Sequence, residues 1–593
     1  MRAARKRLGS ALIALLVTAG TPVAAQQATD GPIRLLPAAP QLPSSVPAES
    51  TQVEDKPKVA DEGVAVVELG RVDPSSVGLL TPESGGFGID LWAGSRREVI
   101  ERLIPRIPDF TPSRTAQALR RKLLLSAAFV PGGNAVAPSF LGLRVERLAA
   151  AGDYGAALSL ADLASPQIDD PVLDETKVDG ALLAGDHQTA CSVVEASLAA
   201  GRRTAYWVRA LTFCRLLEGD AERARLTAAI LRELPGETDT FFHELVAVLA
   251  DNATAPLSEI EEPTPLHLAM VRAARRALPD SAAGSHRPAI LRAVATSPNA
   301  SIEARLAAGE AAEIVGVLPA ESLGQIYASL AFGDDQRANA LTEALRLPRS
   351  QANALLFQSA IAETIPGVQA EALQTAFRLS NSRTHGMLAR VSADRLAAMV
   401  PSIDLMWFAT DAGLAALHAG NTAVARAWFD LARHAVSESQ ADAAVAVLKL
   451  FPPLAVAQSP HDLPWVPSTV VDWWQGVARL GAEDASAFGG SVLALLQAVG
   501  LEVPAEAWAG IIGVAEPALV ERPSIAILQG LRDAASGNRV GEVALLALVA
   551  LGNKDPAEAD AETLVTAVGA LAAVGLTDEA RGFAVEALIG RSL

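Results

Sequence analysis

Cys191 and Cys214 are the only two cysteines in a chain of 593 residues. A thiol pair can form a disulfide, bind a metal or exchange electrons, and the spacing helps to decide between these. The two lie 23 positions apart, which is not the Cys-x-x-Cys spacing of a redox centre. We therefore predict a structural disulfide, with two buried free thiols or a redox-active pair as the alternatives.

Other stretches begin like catalytic motifs, and each lacks a required residue. His243-Glu244 starts like a zinc-protease helix, but Ala247 stands where the second histidine ligand is needed. The stretch Gly489–Leu493 lacks the second glycine of a nucleophile elbow. No Glu-Ser pair is followed by the Gly-Leu-Met-Gln sequence of the soluble lytic transglycosylases. We predict no catalytic residue, no cofactor site and no metal site, and hence no enzyme.

Three of the eight tryptophans, Trp465, Trp473 and Trp474, fall within ten residues of a proline-punctuated stretch. Exposed indole rings there would suit a peptide or glycan partner, because they offer a large contact area at low entropic cost. The alternative, which we favour, is that the three rings fill a junction between two helical segments.

The elements that must position the cysteines are two consecutive helices. A helix starting near Thr189 and a turn at 201–203 define an antiparallel register. This register pairs Cys191 with Cys214, Val194 with Leu211, and Leu198 with Trp207. The cysteines then close one end of an apolar seam, where a disulfide can form.

A repeated pattern surrounds this pair of helices. A glycine recurs at intervals of 33 and 34 residues, followed at once by an aspartate and five residues later by an alanine. These residues are Gly152-Asp153 with Ala157, Gly185-Asp186 with Ala190, and Gly219-Asp220 with Ala224. A glycine that ends one helix, a polar N-cap and a small residue at the helix crossing predict stacked helical hairpins.

This pattern resembles the tetratricopeptide repeat family, whose period is 34 residues. The resemblance is clearest over 140–236, and the family's second-helix pattern recurs at 404–436 and 560–593. The residues of those two copies are Gly420, Ala425, Phe429 and Ala432, then Gly575, Ala580, Ala584 and Ala587. The family's first-helix Trp-Leu-Gly-Tyr signature is mostly absent. The resemblance implies an all-α superhelical solenoid whose groove binds an extended peptide or a partner helix.

The N-terminus predicts export. Residues 1–25 have a basic start, an apolar run of about ten residues from Leu8 and a small-residue site at Val23-Ala24-Ala25, which are the parts of a cleavable signal peptide. Its removal takes four positive charges and changes the formal net charge from −18 to −22. That charge disfavours nucleic acid and anionic lipid as partners. We expect a periplasmic protein without a membrane span.

The rest of the chain divides by composition. We predict a disordered proline-rich linker over 26–63, an extended arm over 64–92 and a repeat-like α-solenoid over 93–450. A Pro/Trp-rich junction over 451–475 and a C-terminal helical segment over 476–593 follow. The predicted function is a non-enzymatic scaffold or adaptor for protein–protein interaction in the bacterial cell envelope. The alternative is a glycan- or peptidoglycan-binding accessory of cell-wall or surface-machine assembly.

Overall fold

The computed structural model describes residues 73–591 apart from several gaps: 134–136, 165, 167, 234–237, 437–440, 459–464, 480–484, 510 and 512–521. The predicted signal peptide (1–25), the linker (26–63) and the first part of the arm (64–72) lie outside the described residues. Gly70–Leu593 forms one compact unit.

The described residues form 29 α-helices and no β-strand. The first fifteen are α1 (Arg97–Leu103), α2 (Arg114–Leu125), α3 (Phe140–Ala150), α4 (Tyr154–Ala161), α5 (Pro171–Ala184), α6 (His187–Ala199), α7 (Ala205–Leu217), α8 (Ala221–Arg232), α9 (Thr240–Asp251), α10 (Pro265–Ala273), α11 (Pro288–Ala295), α12 (Ile302–Ile314), α13 (Ala320–Ala328), α14 (Asp334–Ala338) and α15 (Ala340–Glu343). The others are α16 (Arg349–Ala362), α17 (Pro366–Leu379), α18 (Ser382–Val391), α19 (Ala393–Ala398), α20 (Ala409–His418), α21 (Thr422–Ala435), α22 (Ala441–Ala457), α23 (Pro467–Arg479), α24 (Ala485–Ala498), α25 (Ala505–Ala509), α26 (Ile525–Ser536), α27 (Val540–Leu551), α28 (Ala561–Ala573) and α29 (Thr577–Gly590).

Consecutive helices pack in neighbouring pairs, so the predicted all-α solenoid of stacked helical hairpins is confirmed. Such pairs are α3 with α4, α5 with α6, α7 with α8, α11 with α12, α16 with α17, α20 with α21, α26 with α27 and α28 with α29. Neighbouring pairs also touch, as α6 does with α7 and α21 with α22.

The glycines of the repeated pattern end their helices in the left-handed conformation. Gly152, Gly185 and Gly219 have φ of +82°, +79° and +82°, which residues with a Cβ rarely adopt. The aspartate after each glycine is the N-cap of the next helix, and its carboxylate accepts a hydrogen bond from a backbone N–H three residues on. The alanines of the pattern are buried. The assignment of these pairs to one repeat family stays a prediction.

The first and last helices share a core. One buried apolar cluster combines side chains from 87–173 with side chains from 414–589, and a second cluster covers 178–446. Helix α2 contacts α27 and α29, and α22 also contacts α29. A Cβ at Gly541 would lie 2.6 Å from the carbonyl oxygen of Leu91, so glycine is what lets the arm approach α27. The solenoid therefore closes on itself.

The described part of the arm is a series of turns rather than an extended strand. Two 3-10 turns occupy Pro74–Ser76 and Pro82–Ser84, and a single β-bridge joins Leu80 to Ser126. Proline at the first position of each turn favours this local geometry over a ladder of strand hydrogen bonds. The arm is instead bound to the end of α2.

The predicted junction over 451–475 is mostly helical where it is described. Helix α22 continues through Pro452 and Pro453 to Ala457, and α23 begins at Pro467. The sequence suggested a break because proline lacks an N–H for the helix ladder. The division of the chain at this junction stays a prediction.

Candidate functional site

The two cysteines lie at bonding distance on consecutive helices. The sulfur atoms of Cys191 in α6 and Cys214 in α7 are 2.04 Å apart, and their Cα atoms are 5.6 Å apart. This agrees with the register derived from the sequence. Val194 and Trp207, from the other two pairs of that register, are fully buried in the same cluster. The bond joins the second helix of one stacked pair to the first helix of the next.

Replacing both cysteines by serine is expected to lower the free energy of unfolding by about 3 kcal/mol, because the closed loop restricts the unfolded chain. Urea unfolding followed by circular dichroism measures the change. Dithiothreitol should destabilise the wild type and leave the double variant unchanged. If the wild type is equally stable with and without reductant, the disulfide is not formed in solution.

A half-buried carboxyl group, that of Asp179, lies between α5 and α7. The hydroxyl of Tyr206 donates to Asp179 Oδ1 at 2.9 Å. Burial raises the pKa of Asp179 to about 7, and the hydrogen bond from Tyr206 opposes this rise. The folded state therefore holds a proton on Asp179 at a pH where the unfolded chain has lost it.

Asp179 is expected to make the protein less stable as the pH rises from about 4 to about 7. Because the pKa of Asp179 is raised in the folded protein, protonation of Asp179 stabilises the folded state below about pH 4. This stabilisation is lost as the pH rises to about 7. Each pKa unit corresponds to about 1.4 kcal/mol, and partial hydration of the carboxyl reduces the expected change to about 2 kcal/mol. Asp179→Asn should remove this part of the pH dependence of the urea midpoint, whereas Asp404→Asn, at an exposed position, should retain it. Parallel profiles for Asp179→Asn and the wild type would contradict the assignment.

The three tryptophans proposed as a partner surface are largely covered. Trp473 and Trp474 are buried, and half-buried Trp465 stacks on Phe451 with ring centroids 6.0 Å apart. A Cβ at Gly489 would lie 2.2 Å from the Trp474 ring, so this glycine makes room for the indole. The surface interpretation of Trp473 and Trp474 is therefore not supported, and their packing agrees with the favoured interpretation.

Trp473 compensates for one of the two prolines in α22. Pro452 has no N–H to donate to the carbonyl of Leu448, four residues earlier. The indole Nε1–H of Trp473 donates to that carbonyl at 2.8 Å. The tryptophan thus supplies the hydrogen bond that proline removes, and it joins α23 to α22.

Helix α8 exposes two large aliphatic side chains one turn apart. Leu226 is 62% exposed and Ile230 is 50% exposed, while Leu217 at the end of α7 is exposed as well. The opposite face of α8 provides its buried residues, Ala224, Thr227, Ala228 and Leu231. Leu226 and Ile230 are therefore not needed for the core. We call them the α8 stripe.

The closed solenoid contains a partly open cavity of about 380 Å³ that is lined by both charged and apolar side chains. Its lining comes mainly from the start of α2, from α18, from the end of α20 and from α29, and Thr422 of α21, Ala457 of α22 and Asp555 before α28 also contribute. The lining carries four arginines, namely Arg114, Arg383, Arg390 and Arg581, and three carboxylates, namely Asp555, Asp578 and Glu586. Residues from the beginning, middle and end of the chain therefore meet there.

A buried carboxylate that does not itself line the cavity joins two of these arginines. Glu313 of α12 is 1% exposed. Its Oε1 accepts hydrogen bonds from Arg114 Nη2 at 2.5 Å and from Arg390 Nε at 2.7 Å, and its Oε2 accepts from Arg390 Nη2 at 2.8 Å. This shared ion pair connects α2, α12 and α18.

Glu586 joins α29, the last helix, to the N-terminus of α2. Its carboxylate accepts hydrogen bonds from Ser113 Oγ at 2.5 Å and from the N–H and Oγ1 of Thr115, both at 2.8 Å. A helix N-terminus attracts negative charge, so the position suits a carboxylate. A Cβ at Gly582 would lie 2.5 Å from Thr115 Oγ1, and glycine thus permits the close approach of the two helices.

The cavity shifts the pKa values of several lining groups. Burial raises the pKa of Glu586, and the hydrogen bonds from Ser113 and Thr115 oppose that rise. Burial also raises the pKa of Asp555. For His418, burial and then the nearby His385 and Arg390 hold the pKa well below its usual value. The largest cause of all three shifts is burial, so the lining groups are partly removed from water.

No sequence pattern indicates this cavity. Its lining residues are spread from 112 to 589 and share no motif, so only the closure of the solenoid brings them together. The histidine of the rejected zinc motif, His243, packs its ring on Phe242, with centroids 5.3 Å apart. Glu244 accepts hydrogen bonds from Ser258. These contacts are structural.

No group of three His, Cys, Asp or Glu side chains within the described ranges could hold a metal ion. Among the helices of the described residues, none combines the length and apolarity needed to cross a membrane.

The structure defines the class as an α-helical solenoid closed around a charged cavity. No protein-family model, no curated protein and no solved structure matches this chain.

Proposed function

We propose that this protein is an exported, non-enzymatic scaffold or adaptor of the bacterial cell envelope that binds another protein on its solenoid. The signal-like N-terminus and the cysteine pair support export, because disulfides persist in oxidising compartments. Stacked helical hairpins support the binding role, since solenoids offer long surfaces built from successive pairs.

The α8 stripe is the observation that carries the proposal. Leu226 and Ile230 lie at positions i and i+4, so they form one continuous apolar strip on the helix surface. They lie on α8, which packs on α7, the helix that the Cys191–Cys214 bond joins to α6. A partner that covers the strip gains the free energy of removing two large aliphatic side chains from water.

Site-specific cross-linking in living cells tests the proposal. A photo-reactive residue replaces Leu226 in the exported protein, and a matched sample carries it at Arg395, an exposed position on α19. We expect discrete protein adducts from position 226 that position 395 does not give. Adding Ile230→Ser should remove them. The same adducts at both positions, or none at 226 in folded and exported protein, would overturn the proposal.

The burial of Trp473 and Trp474 removes one argument for the glycan-binding alternative, as it does for a peptide partner at the same rings. Retention of the purified protein on cell-wall sacculi, without any other protein, is the result that would restore it.

A further inference from the structure

Two side chains of opposite charge that line the cavity are not in an ion pair with any residue that the structure describes. Arg581 and Asp578 lie three residues apart on α29, and both line the cavity. Within the described part of the chain, neither forms an ion pair with the other or with a third residue. Asp578 is exposed and Arg581 is half-buried. An unpaired guanidinium at a partly enclosed position is available to a ligand.

The other charged groups of the lining are already engaged. Arg114 and Arg390 share Glu313, and Glu586 accepts hydrogen bonds at the start of α2. Asp555 accepts a hydrogen bond from the N–H of Ala557, and Arg383 lies 3.7 Å from Glu558. The charge available to a ligand is therefore one cation and one anion, side by side.

We propose that the cavity binds a zwitterion, an amino acid or a short peptide with both ends free, whose carboxylate contacts Arg581 and whose ammonium contacts Asp578. The planar guanidinium matches a carboxylate with two parallel hydrogen bonds. Residues three apart on a helix are about 5–6 Å apart at Cβ, and an extended dipeptide spans roughly 7 Å. The two ligand ends can therefore reach both side chains.

The volume of the cavity and the apolar part of its lining also fit an amino acid or a short peptide. A volume of about 380 Å³ is near the small end for ligand pockets and suits one to three residues. Leu417, Val585 and Ile589 add an apolar wall that can take a side chain of the ligand. A phosphate dianion fits less well, because it would pair with Arg581 and leave Asp578 without a cation.

Calorimetric titration of the folded, full-length exported protein with alanine peptides tests this site. The probes are trialanine with free ends, its N-acetylated form and its C-terminal amide, with dialanine and alanine to separate peptide from amino acid. We expect free trialanine or a shorter probe to bind, and blocking either end to weaken binding by about tenfold or more.

The variants connect each ligand end to one residue. In Arg581→Gln, amidation should no longer weaken binding, and in Asp578→Asn, N-acetylation should no longer do so. The controls Arg395→Gln and Asp394→Asn, at exposed positions on α19, should behave as the wild type. If Arg581→Gln does not fold, Arg581→Lys replaces it and must keep the preference for a free carboxylate.

Three results would overturn the inference: equal binding of all end-blocked forms, end preferences that survive both variants, or no binding of any probe up to about 10 mM. The inference goes beyond the scaffold proposal, since it concerns the cavity and not the α8 stripe. Loss of cross-linking at position 226 and loss of peptide binding are separate outcomes.

Discussion

Glu313→Ala is expected to lower the free energy of unfolding by about 3 kcal/mol, near the low end for breaking a buried ion pair. The carboxylate is 1% exposed and accepts three hydrogen bonds from Arg114 and Arg390. Without it, two guanidinium groups face each other in a partly dehydrated site. Both arginines retain some contact with solvent, which limits the loss. Urea unfolding measures the change.

Two further variants separate the ion pair from general damage to α12. Glu321→Ala, at an exposed position on the neighbouring helix α13, should change stability by less than about 0.5 kcal/mol. Replacing Glu313, Arg114 and Arg390 together by methionine should recover most of the loss, because no buried charge is left without a partner. A triple variant as unstable as Glu313→Ala would show that packing, not charge, decides the effect.

Local features of the fold could be predicted because their causes are local. A left-handed glycine, an aspartate N-cap and a buried alanine lie within about six residues of each other, so the hairpins around Gly152, Gly185 and Gly219 are visible in the sequence. The partner of Cys191 follows from the register of two consecutive helices. Both depend only on helix geometry.

The closure and the cavity could not be predicted, because their contacts join residues far apart in the chain. Glu586 meets Thr115, 471 positions earlier, and Glu313 meets Arg390, 77 positions later. No periodicity or motif encodes such pairs. The course of α22 was not predicted for a related reason: Trp473, 25 positions later, donates the hydrogen bond to Leu448 that Pro452 lacks, so the helix continues where the prolines alone indicate a break.

Arg144→Met is expected to detach the start of the arm and to cost about 3 kcal/mol or more. Arg144 of α3 is 3% exposed, and burial lowers its pKa to about 10. Its guanidinium donates to four backbone carbonyls, those of Leu124, Ser126, Ser75 and Val77. The first two lie at the C-terminal end of α2, where carbonyls favour a cation. Methionine fills a similar volume and donates nothing, so four acceptors lose a partner.

Hydrogen exchange locates this effect. The amides of Leu79 and Leu80 bond to the carbonyl of Leu125, so they should exchange about 100-fold faster in Arg144→Met. Arg144→Lys keeps the charge but has a single ammonium group, and its loss should be intermediate. Arg106→Met, at an exposed position, should leave exchange unchanged. If the arm amides stay protected in Arg144→Met, the contacts of the arm with α27 hold it without the arginine, and the closure of the solenoid rather than this cation fixes the N-terminal segment.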